Sequence, residues 1–144
     1  MNQEFKQYVK NKKIIPFPEG KTLVRRELDI SRGDLSDAMT GFQNELYKWS
    51  TIQAYFAMRH AAKALVYSRG YRGKGHYSLV IALKALYVDT NLMEINVVRE
   101  FINAMNLREV AEYEAEYSIL GAKAVISAAE RLIELARNIL NMNE

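Results

Sequence analysis

The ten residues from Ser68 to Tyr77, SRGYRGKGHY, gather Arg69, Arg72, Lys74 and His76 with Tyr71 and Tyr77 among three glycines. Cations that grip a phosphate, beside aromatic faces that stack a base, are made of these residue types. Gly70 and Arg69 also suit a helix C-terminus, as a left-handed cap and a cation at the negative end of the dipole. Lys74 and His76 do not. They stand ahead of the next apolar helical segment, where the dipole repels each cation by a few tenths to about 1 kcal/mol. An anion seated between them would reverse that penalty. The spacing is not that of a Walker loop. A solvated basic turn and an anion site are both open readings.

Other charged residues stand on helical stripes. Arg59 and Lys63 form a like-charge pair four apart, mildly destabilising on its own. They join Arg69, Arg72, Lys74 and His76 as candidate anion-binding residues, and His60 beside them reads as a hydrogen-bonded packing residue. Arg108 ends the stripe Val98, Phe101, Met105, Arg108, Glu112. A guanidinium at the edge of an apolar face needs a partner, either Glu112 or a charge from outside the chain, and Arg108 is the seventh candidate. Glu112 and Glu116 read as a solvated acidic face. There is no cysteine and no Glu-x-x-His pair, so no metal site and no cofactor are expected.

The elements that must position these residues are helical. Val24, Leu28, Ser31, Leu35, Ala38 and Phe42 alternate at spacings of four and three. From Tyr47 to Tyr67 the apolar residues cover nearly the whole circumference, with Trp49, Ile52, Phe56 and Val66 on one side, which predicts a central helix. Leu79, Leu83 and Leu86 mark a shorter helix. Val98, Phe101 and Met105 mark the next, and Val125, Ala129, Leu132, Ala136 and Ile139 the last. With short connections and no strand signal, this predicts an all-α antiparallel up-and-down bundle of five main helices. A short sixth precedes it: residues 1–20 read as a basic helix, Gln3 to Lys12, and a linker carrying Pro16 and Pro18, with residues 21–144 as a single bundle domain.

The chain has 144 residues, 49% hydrophobic and 26% charged, as in a globular protein rather than a disordered one. No leader-like or bilayer-spanning run is found, so a cytoplasmic protein without membrane contact is expected. The net charge of +3 hides an asymmetry. Residues 1–80 hold 14 Lys/Arg and 7 Asp/Glu (+7), and residues 81–144 hold 6 and 10 (−4). A basic half suggests an anionic partner or an acidic protein surface. The central helix and the Val98–Met105 stripe offer more apolar surface than a short bundle hides, which predicts a homodimer or a protein complex.

The stretch TIQAYFAMRHAAKALVYSRGYRGKGHYSL, followed by LREVAEY, resembles the HEPN domain (higher eukaryotes and prokaryotes nucleotide-binding), in particular its small stand-alone archaeal and bacterial members. The resemblance covers roughly Leu23 to Leu140. It implies an antiparallel helical bundle, usually a homodimer, and a minimal nucleotidyltransferase as partner, often as toxin and antitoxin. Active members share an Arg-x(4–6)-His motif lining a ribonuclease site at the dimer interface. Arg108 looks equivalent to that arginine, but five to seven residues on stand Tyr113, Glu114 and Ala115. Arg69 and His76 have the motif's spacing at a different place. Two readings follow: a non-catalytic subunit that binds a nucleotide, RNA phosphate or a partner, or a metal-independent ribonuclease using Arg108 or Arg69 with His76.

Overall fold

The computed structural model describes residues 2–75 and 77–141; His76, a candidate above, lies outside the described residues. The chain is an all-α helical bundle. Its order is α1 (Gln3–Lys10), β1 (Ile14–Pro16), a 3-10 helix (Pro18–Leu23), α2 (Val24–Gln43), α3 (Tyr47–Ser68), β2 (Tyr71–Gly73), α4 (Ser78–Leu83), α5 (Ile95–Tyr113) and α6 (Ile119–Ile139). A π turn over Lys84–Val88 extends α4.

Helix α3 is central, as its all-round apolar pattern predicts. Ala54, Ala57, Ala61, Ala62 and Ala64 are wholly buried, and α2, α5 and α6 all pack on it. The α2 stripe buries Leu28, Ser31 and Ala38. Ser31 sits where the helices approach closely, and its hydroxyl donates to the Ala57 carbonyl at 2.6 Å. The side chains of Asn2 and Ser118 cap α1 and α6 by accepting from Phe5 N and Gly121 N. At the far end of α3, Tyr87 in the π turn donates its hydroxyl proton to the Leu65 carbonyl at 2.6 Å, and Ser68 Oγ lies 2.9 Å from the tyrosine oxygen.

Four expectations need correction. The IIPFPEG stretch is not a linker: Ile14–Pro16 pairs antiparallel with Tyr71–Gly73, in the register Ile14–Gly73, Ile15–Arg72, Pro16–Tyr71. Phe5 and Ile14 lie in the core, so the N-terminal segment is packed against the bundle. The Ser68–Tyr77 turn accordingly contains a strand. The apolar surface invoked for a partner is already used within the chain, since Val98, Phe101 and Met105 are buried. Exposed apolar side chains occur instead at the α2–α3 turn (Leu46, Trp49) and the α5–α6 turn (Tyr113, Tyr117, Ile119, Leu120). Trp49 is thus not part of the core.

Two glycines test this packing with opposite signs. A Cβ on Gly73 would lie 2.5 Å from the Ser78 Cβ, whereas one on Gly33, inside α2, meets nothing within 4 Å. Gly73→Ala should destabilise by about 1–3 kcal/mol through overpacking, and Gly33→Ala should stabilise by about 0.5–1 kcal/mol through backbone entropy. Urea denaturation followed by circular dichroism measures both.

Candidate functional site

Most of α3 is covered by its neighbours, but Gln53, Phe56, Arg59, His60, Lys63 and Tyr67 remain half-buried. Their spacings of three and four place them along one face of the helix. The sequence therefore builds a polar and aromatic stripe into an otherwise apolar helix.

Three of the candidate cations share this region. Lys63 lies below the ordinary lysine range, first because it is partly buried and second because Arg59 is near. Tyr67, one turn on, is raised, chiefly by burial and then by Glu27, while Arg72 and Arg59 act in the opposite direction. The Arg72 guanidinium lies 5.2 Å from the centre of the Phe17 ring, and Phe17 meets Tyr67 edge-on at 5.1 Å. Arg59, Lys63 and Arg72 are thus joined through Tyr67 and Phe17. Among the described residues, none of the three forms a salt bridge.

The others are placed elsewhere. Arg69 stacks over the Tyr87 ring at 4.6 Å and borders a small cleft with Asn2, Asp89 and Thr90. Lys74 continues from β2, its N–H donating to the Lys13 carbonyl at 2.8 Å. Tyr71 is half-buried and meets Phe5 edge-to-face at 5.3 Å, while Tyr77 is exposed. Of the two cations that the dipole argument placed ahead of α4, only Lys74 is among the described residues, so the search for an anion site moves to α3, where Arg59 and Lys63 stand one turn apart.

His60 bridges α2 and α3. Its Nδ1 lies 2.8 Å from Glu27 Oε1, and its Nε2 lies 3.9 Å from Asp34 Oδ2. An ionised carboxylate only accepts, so Nδ1 is the donor to Glu27. Asp34 is raised, first by burial, with His60 opposing. Sequence reasoning found His60 and its packing role but missed Glu27 and Asp34. The available signal was a glutamate four residues before Ser31, beside the core stripe of α2.

Of the two partners expected for Arg108, Glu112 is the one beside it. Its Nε lies 2.8 Å from Glu112 Oε1 without the alignment of a hydrogen bond, so the two make a contact ion pair. The guanidinium also rests 5.3–5.7 Å from the ring centres of Tyr55, Phe56 and Tyr113. The one histidine among the described residues, His60, is bound to Glu27 rather than to Arg108.

Charged Lys63 opposes folding, and this gives a pH signature. The folded chain releases the Lys63 proton at lower pH than the unfolded chain. Stability therefore rises with pH between its lowered value and the ordinary 10.5. Tyr67, raised above 10.0, pulls the other way at high pH in wild type and variant alike. Lys63→Met should be slightly more stable than wild type at pH 7, and the difference should shrink toward pH 10.5. Thermal melts of both proteins across that range measure it.

Known proteins share this architecture. A chain from Thermus thermophilus, solved as the crystal structure of TT1696, superposes with a TM-score of 0.67 at 20% identity, covering 81% of this chain and 97% of its own. A UPF0332 protein of Archaeoglobus fulgidus is 29% identical over 121 residues, 81% of this chain and 96% of the relative. A protein of Methanocaldococcus jannaschii named "Putative toxin MJ0605" is 27% identical over 114 residues, 78% of this chain and 85% of the relative. The family model described as HEPN domain matches residues 24–144, which include α2 to α6 and the whole polar stripe of α3. The chain belongs to the HEPN domain family.

Proposed function

We propose that this HEPN protein is a non-catalytic subunit that binds a nucleotide or RNA phosphate on the α3 stripe. Its partner in this reading is a minimal nucleotidyltransferase, in a module of the toxin–antitoxin kind. The carrying observation is the Arg59–Lys63 pair, two like charges held one turn apart on a half-buried surface without a salt bridge among the described residues. A phosphate between them would relieve the repulsion and the desolvation that lower Lys63. The name of the Methanocaldococcus relative supports the toxin–antitoxin setting.

A role without RNA cleavage fits the chemistry around Arg108. Cleavage without a metal needs a base for the 2′-hydroxyl proton and a cation for the phosphate. Arg108 is engaged by Glu112, and no histidine follows it in the chain. Tyr113 stands five residues on, where the motif of active members has its histidine.

Two measurements test this reading. Arg59→Ala/Lys63→Ala should weaken UMP or oligouridylate binding by about tenfold or more, the scale of one lost charge-assisted hydrogen bond. The purified protein should leave RNA intact in EDTA at neutral pH. Equal affinity of wild type and double variant would sink the stripe as a site. Cleavage by wild type that disappears in Arg108→Ala would establish the ribonuclease alternative. A co-encoded nucleotidyltransferase that does not co-purify would remove the partner from the proposal.

A further inference from the structure

The family match begins at residue 24, so α1, β1 and the 3-10 helix stand ahead of it. This segment is basic. Residues 1–23 hold Lys6, Lys10, Lys12, Lys13 and Lys21 against Glu4 and Glu19. It is also anchored, through the buried Phe5 and Ile14 and the pairing of β1 with β2. The Lys74 N–H bond to the Lys13 carbonyl extends that pairing and sets the Lys12–Lys13 corner beside Lys74. Arg72 stands opposite Ile15 in the same ladder. Lys6 and Lys10, one turn apart on α1, are exposed.

The result is a fixed array of like charges. Among the described residues, none of Lys6, Lys10, Lys12, Lys13, Arg72 and Lys74 forms a salt bridge, and Glu4 turns to Lys84 instead. Two of the charges rest over aromatic rings: Lys13 stands 5.6 Å from the Tyr8 ring centre and Arg72 5.2 Å from that of Phe17. The eight residues of α1 alone span about 12 Å. The cations are therefore spread more widely than one phosphate group. A lipid surface does not fit, because Phe5, Tyr8 and Val9, the apolar residues of α1, are packed on the core and leave no face to insert.

We infer that the N-terminal segment and β2 form a docking platform for the backbone of a single-stranded nucleic acid. Spaced cations suit a strand whose charge repeats along its backbone, and the rings beneath Lys13 and Arg72 hold those two charges in place. The inference deepens the proposed function, in that it rests on phosphate being the ligand and adds a second surface on which a longer strand is held.

The test uses the full chain with Lys6, Lys10, Lys12 and Lys13 changed together to Gln. Lys13 contributes its carbonyl to the strand pairing, so the ladder survives, and an unchanged thermal midpoint verifies the fold. Fluorescence anisotropy with labelled oligouridylate over a salt series reads the effect. The slope of log affinity against log salt should flatten by about 3 units, about 0.7 for each phosphate contact removed. UMP affinity, governed by Arg59 and Lys63, should stay the same. Oligodeoxythymidylate should bind within a few-fold of oligouridylate, because the platform reads phosphates. A slope identical in wild type and variant overturns the platform and leaves the α3 site standing. Failure of wild type to bind either UMP or oligomer removes both. Polyglutamate competing as well as oligouridylate would make the partner an acidic protein and overturn the inference.

Discussion

How near other helices can come to α3 governs the rest of the molecule. Ala54, Ala57, Ala61, Ala62 and Ala64 present little more than backbone to their neighbours. Packing density like that of a crystal then requires the neighbours to close in. Ser31 makes the approach specific, because its buried hydroxyl must find an acceptor and the Ala57 carbonyl supplies one.

The same closeness creates the polar stripe. Neighbours drawn tightly onto the alanine faces leave Arg59, His60, Lys63 and Tyr67 half-covered, where water screens them poorly. His60 resolves its situation through Glu27, an interaction that also cross-links α2 to α3. Among the described residues Lys63 has no equivalent partner, and burial together with Arg59 disfavours its charge. A protein that used this surface only for packing would gain from an apolar residue at that position. A charge kept at a cost in stability is the observation on which the proposed phosphate site rests.

The helices were readable because burial on a helix repeats every three to four residues, and the stripes of α2, α5 and α6 obey that rule. The family resemblance rested on the same region, from the α3 alanines to the segment around Arg108. The Arg108–Glu112 pair was readable because both residues lie on one helix. What escaped was tertiary. Each strand has only three residues, and Ile14 meets Gly73 with the 3-10 helix, α2 and α3 between them in the chain, so no local alternation announced the ladder. Glu27 and Asp34 reach His60 only because of how α2 crosses α3, which periodicity does not reveal. Trp49 continues the spacing of the α3 stripe, yet it stands on the first turn of the helix, where the covering neighbours end.

The π turn has a consequence for how the chain tolerates change in length. Between Lys84 and Val88 the backbone widens, with the Asp89 N–H donating to the Lys84 carbonyl five residues back. A π turn is an α-helix holding one surplus residue. The widened turn absorbs that residue locally, so the chain on either side keeps the phase it would have without it. Tyr87 stands inside the turn, with its hydroxyl on the Leu65 carbonyl and beside Ser68, and its ring lies beneath Arg69. A one-residue deletion between Lys84 and Val88 would therefore be felt at Tyr87 and the groups that meet it, and little along the rest of the bundle.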